Sequence, residues 1–190
     1  MPVKDQILQI LRSSETHRVN FSFQGTAGRV SVDATSFQRV ANAIDRGDIH
    51  IVENRFTTDI AMYSARNNPS DRFDANTLYL GRNLRFSRLF NALIVHESVH
   101  ASFDLTRSSL PWVDNEAAGY IAQAYYARNS GLPRMAYEFG SHAIVAYSIV
   151  EGMRAHSDSD ISFFLDALRT SLNADPMYHS YIGGQFDGDG

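Results

Sequence analysis

A chain of 190 residues, 44 % of them apolar and 20 % charged, can bury a core of one-domain size. A net charge of −4 without any Lys/Arg cluster excludes a nucleic-acid groove. The lack of cysteine excludes disulfides, thiolate metal sites and cysteine nucleophiles.

The opening segment, MPVKDQILQILRSSETHR, has the spacing of an amphipathic helix. It lacks the unbroken apolar stretch of a signal peptide, so a cytoplasmic location is expected, with signal-independent export left open. No segment approaches the roughly 18 apolar residues of a membrane span, and no membrane partner is expected. Residues 19–24 and 29–33 alternate as two strands around a glycine-containing turn. Phe37, Val40, Ala41 and Ile44 then repeat at helical spacing between Asp33 and Gly47. Strands are expected at 49–53 and 59–64, a polar surface loop in ARNNPSDRFDAN, and a last strand in NTLYLG, 76–81.

Beyond it, residues 85–106, 112–129, 133–153 and 160–172 carry helical spacing without strand alternation. Pro111 and Gly131 bracket the second of these. The pattern reads as α+β: a small, mostly antiparallel N-terminal sheet followed by a helical half, in a single domain over 1–175. Residues 176–190, rich in glycine and aromatics, read as a flexible tail. Its DGDG ending resembles the start of a calcium loop whose remaining ligands are missing.

The first helix after the sheet contains ALIVHESVHASFD. His96 and His100 lie four residues apart, so both imidazoles can face one ion, with Zn–N distances of about 2.0–2.1 Å. Glu97 is rotated by about 100° from His96 and is placed to act on water instead. Two ligands and a base on one turn are the logic of H-E-x-x-H, and Zn²⁺ is the expected cofactor. The competing reading is a core helix that happens to hold two histidines. The apolar flanks count against it, because buried unpartnered histidines are costly there.

A third ligand is needed. The pattern H-E-x-x-H-x-x-G-x-x-H is excluded, since Phe103 and Thr106 stand where glycine and histidine are required. Glu116 leads, in WVDNEAAGYIAQAYY, because Ala117, Ala118, Gly119 and Ala122 would let its helix approach the first closely. Against this, an acidic residue also suits the first turn of any helix. Asp104, His142 and Asp114 are the alternatives, in that order.

HESVH followed by NEAAGYIA resembles the gluzincin branch of the zincin metallopeptidases, the thermolysin-like group, and is also similar to ImmA/IrrE-type peptidases. The likeness covers about residues 76–127. It implies a zincin-like fold with His96, His100 and Glu116 as metal ligands and Glu97 as catalytic base. It also implies a peptide or protein substrate lying along NTLYLG as a sheet edge. Thermolysin-like enzymes carry an aspartate four residues after the ligand glutamate, and this chain has Tyr120 there. Asp104, one turn beyond His100, is the substitute carboxylate for orienting a ligand histidine, unless it is a solvated group near the helix end.

A zincin further requires an oxyanion donor, for which Tyr120 and His142 are the candidates. His142 lies in the apolar FGSHAIVAYSIV and also fits a satisfied core histidine. His17, His50, His156 and His179 carry less signal, and Tyr125, Tyr126, Tyr137 and Tyr147 read as packing. The expected activity is zinc-dependent peptide hydrolysis, at a site either open or gated by the 66–75 loop or the tail. The alternatives are a zincin-like metal-binding module that binds or senses without turnover, and a structural α+β protein with a chance motif.

Overall fold

The computed structural model describes residues 1–190 except 59, 83–85, 135–140 and 156–157. With helix at 54 % and strand at 18 %, segregated along the chain, the fold is α+β. The opening segment breaks into α1 (Val3–Leu11) and α2 (Ser14–His17), because the Ser13 side chain accepts the Thr16 amide and restarts the helix. β1 (Phe21–Gln24) and β2 (Arg29–Val32) pair as an antiparallel hairpin. α3 (Ala34–Arg46) opens on a capping box between Asp33 and Ser36 and ends at Gly47, whose φ of 84° suits only glycine well.

β3 (His50–Phe56), β4 (Ala61–Ser64) and β5 (Thr77–Gly81) form a separate sheet in the order β3-β5-β4. β5 is buried along its whole length, with β3 parallel on one side and β4 antiparallel on the other. Two expectations are corrected here. The first-half strands make two sheets rather than one. NTLYLG is the central strand, so its ladder groups are already paired and it offers no edge to a peptide. The edge on the helix side is β4.

α4 (Arg88–Leu105) is capped by Ser87, which accepts the Phe90 amide, and α4 is buried on nearly every face. β6 (Ser109–Pro111) leads directly into α5 (Trp112–Asn129), followed by α6 (Ser141–Ala155) and α7 (Asp158–Ala174). The tail is structured. It forms a 3₁₀ turn at Pro176–Tyr178 and a strand, β7 (Gln185–Asp187), paired antiparallel with β6. Its glycines and aromatics suggest flexibility, but β6 supplies a partner strand that local composition does not reveal. Among the described residues, no helix is long and apolar enough to cross a membrane.

One hydrophobic cluster runs from Ile7 to Leu172, with Ile94 of α4 and Ile121 of α5 fully buried within it. Beside it, Asp114 is fully buried yet charged. Its carboxylate accepts from Thr26 N at 2.6 Å, Thr26 Oγ1 at 2.7 Å, and Arg169 Nε and Nη2 at 2.9 and 2.8 Å. These bonds fasten α5 to α7 and to the β1–β2 turn. Asp114 is thus a structural ion pair and not a metal ligand.

Arg169→Ala, which strands that buried carboxylate, is expected to lower unfolding free energy by about 3–5 kcal/mol in urea titrations. A loss below about 1 kcal/mol, typical of a surface pair, would show that the bond network does not hold these elements together.

Candidate metal centre

α4 and α5 pack side by side, and at Gly119, where α5 has no side chain, its backbone lies against the His96 ring. A Cβ placed on Gly119 would sit 2.7 Å from His96 Nε2. Only glycine lets the imidazole lie flat against the α5 backbone. One turn before it, Glu116 turns its two oxygens to the two histidines: Oε2 to His96 Nε2 at 3.5 Å and Oε1 to His100 Nε2 at 3.3 Å. Tetrahedral ligands at about 2.0 Å from zinc lie roughly 3.3 Å apart, so these separations suit a shared ion. The three donor atoms all lie within 4.8 Å of one another, and among the described residues this is the one such group.

The histidines are also held in the required tautomer. His96 Nδ1 meets Gln123 Oε1 at 3.0 Å and His100 Nδ1 meets Asn115 Oδ1 at 3.0 Å. An amide oxygen can only accept, so each Nδ1 carries hydrogen and each Nε2 is the ring atom turned to Glu116, where a metal would bind. Asp104 does not have this role. Its carboxylate accepts the Tyr63 hydroxyl at 2.6 Å and the Asp189 amide at 2.9 Å. Neutral amides from α5 replace the expected carboxylate because they already face the rings across the close contact. Asn115, Glu116, Tyr120 and Gln123 recur at helical spacing in the sequence, and that stripe was the signal for both amides.

Glu97 is buried beside the triad, and its Oε2 accepts the backbone amide of Tyr63 on β4 at 2.8 Å. Burial raises its carboxyl to about 7, against the pull of His100 and that amide, with Glu116 adding to the rise. Burial also acts to raise Glu116. The charges of His100 and His96, with hydrogen bonds from His96 and Tyr178, outweigh it and hold Glu116 below its ordinary value. Two neighbouring carboxyls are thereby shifted in opposite directions, Glu97 up and Glu116 down.

Tyr120 stands edge-on to His96, ring centroids 4.7 Å apart, and its hydroxyl lies 2.9 Å from that of Tyr178 in the 3₁₀ turn. Burial pushes the Tyr120 phenol up to about 12 and raises that of Tyr178 further, the Glu116 charge adding to both. Both phenols stay protonated and can donate. Tyr178 is a site residue that the sequence hides, because it arrives from a separate segment with no spacing relation to the motif. Phe186 of β7 closes on His100 from the same tail, ring centroids 6.4 Å apart.

His142 is not an available donor. Its Nε2 pairs with Asp175 Oδ2 at 2.9 Å and its Nδ1 with Ser171 Oγ at 2.9 Å, so both nitrogens are engaged. It anchors the start of the tail instead. Of the remaining expectations, His17, His50 and His179 are exposed, and Tyr125 stacks on Phe21 as packing. His156 and Tyr137 lie outside the described residues. The DGDG ending is drawn into the fold, with Asp187 accepting the Ser109 hydroxyl and the Asp189 amide on Asp104. The 66–75 loop is pinned to the sheet by Tyr79, whose hydroxyl accepts the Asp74 amide at 2.6 Å. Of the 66–75 loop and the tail, it is the tail that brings side chains, Tyr178 and Phe186, to the triad.

No family model, curated protein or solved structure matches the chain, so the chemistry of the site rests on its geometry.

Elemental analysis of purified protein is expected to find about one zinc per chain. Gly119→Ala, which alters no ligand, is expected to weaken zinc binding at least about tenfold, as disturbed supporting groups do. Unchanged affinity in this variant would show that the helix contact is not what positions His96.

Proposed function

We propose that the chain is a zinc-dependent metallopeptidase of zincin type, with His96, His100 and Glu116 holding the metal and Glu97 as general base. The observation that carries this reading is the convergence of three donors at ligand spacing with a separate buried carboxyl poised near neutral pH. Zinc bound there supplies Lewis acidity toward a carbonyl and makes water more acidic. Glu97 then takes a proton from the attacking water and returns it to the leaving amine. Tyr178 and Tyr120 offer neutral phenol donors for the negative charge that develops on the carbonyl oxygen.

Support for a peptide substrate comes from β4. Its Tyr63 amide faces Glu97 rather than the neighbouring strand, so the outer edge of the sheet runs past the base. An extended chain added to that edge would bring its carbonyls to the triad. The second reading, a metal-binding module without turnover, draws on the tail: Tyr178 and Phe186 cover the histidine–glutamate group.

Glu97→Gln separates the two. It is expected to keep full zinc content while peptide cleavage, followed by mass spectrometry on a diverse peptide library, falls by roughly 10²–10⁴-fold. Wild-type protein that carries zinc but cleaves no peptide would leave the binding-module reading standing. Tyr178→Phe is expected to retain zinc and lower kcat by about 10²-fold with little change in KM. An equal kcat in this variant would remove Tyr178 from the catalytic group.

A further inference from the structure

A cavity of about 490 Å³ opens on the other side of α4, between the β1–β2 hairpin, the start of α3 and the α4–β6 turn. None of the metal-centre residues lines it. Ser102, which does, follows His100 by two residues and so points about 200° around the helix from it. The lining is rich in polar residues, among them Ser31, Ser102, Thr106 and Ser108, with Arg29 and Arg39 as its cations.

With Asp114 paired to Arg169 from outside the cleft, the lining carries two guanidinium groups against one remaining carboxylate, Asp33. Arg39 is half-buried, and among the described residues its guanidinium makes one hydrogen bond, from Nη1 to Ser102 Oγ at 3.1 Å, and no salt bridge. Among the described residues, the Arg29 guanidinium bonds the Ser22 hydroxyl alone. Of the two carboxylates at the cleft, Asp114 is neutralised by a cation outside it, and Asp33 keeps its charge while serving as a helix cap. Asp114 is bound by Arg169 and Thr26. Asp33 caps α3, accepting the Thr35 and Ser36 amides at 2.8 and 3.1 Å. That cap also occupies the α3 N-terminus, leaving the arginines as the sources of positive charge. A guanidinium has five N–H donors, and one withdrawn from water without a counter-ion favours an anion. Planar N–H pairs match the oxygens of a phosphate group especially well. The cavity is larger than one phosphate needs and falls in the range of small-molecule pockets, about 300–1,000 Å³.

We propose that this cleft binds a phosphate ester of a hydroxylated small molecule, its phosphate held by Arg39 and Arg29 and its hydroxyls by the serines and Thr106. The site stands apart from the hydrolase reading and does not depend on it.

Calorimetric titration of the full chain with glucose 6-phosphate, inorganic phosphate and glucose tests the assignment. Both phosphate compounds are expected to bind saturably, the ester more tightly, and glucose not at all. Arg39→Gln and Arg29→Gln are each expected to weaken the ester by about tenfold or more, the loss of a charge-assisted contact. Arg29 is exposed, so Arg29→Gln keeps the test valid if Arg39→Gln fails to fold. The proposal is overturned by any of three results. These are no saturable binding of either phosphate compound, unchanged affinity in a folded arginine variant, or binding lost in His96→Ala but not in the arginine variants. The last would place the anion on the metal.

Discussion

The missing side chain at Gly119 is the constraint on which the rest of the centre depends. Two helices that each bury most of their faces can pack in many ways, but an imidazole against bare backbone fixes one of them. At that separation Glu116 reaches both histidines, Asn115 and Gln123 reach the far sides of the rings, and Tyr120 stands against His96. Every polar group of the centre on α5 is therefore placed by one steric fact. An interior packed as densely as an organic crystal leaves little room for a methyl group to be absorbed nearby.

Much of this was legible in the sequence because it is local. The helix from Arg88 to Leu105, the Pro111 boundary, and the strands around residues 21–32 and 61–81 follow from spacing and punctuation. The pairing of HESVH with Glu116 was legible because both halves are helical and the small residues between them advertise a close approach. Asn115 and Gln123 were legible in principle, on the same stripe as Glu116.

Other features were hidden because they depend on which segments meet in space. That β5 is central and β4 the edge is a matter of strand order, which alternation within a strand cannot encode. Tyr178 and Phe186 belong to a segment whose composition looks loose, and its 3₁₀ turn and its pairing with β6 depend on partners far along the chain. His142 looked unpartnered because Asp175 and Ser171 lie far along the chain. Asp104 was expected to orient a ligand histidine, because it stands one turn beyond His100. Its partner proved to be a tyrosine of the edge strand rather than a ligand histidine.

That tyrosine has a consequence for timing. Tyr63 is held at its hydroxyl by Asp104, while its amide holds Glu97. An amide has a single hydrogen. A chain pairing with the β4 edge at this residue would compete for the hydrogen that now restrains Glu97. Under the proposed function, docking at the edge and freeing an oxygen of Glu97 would be one exchange.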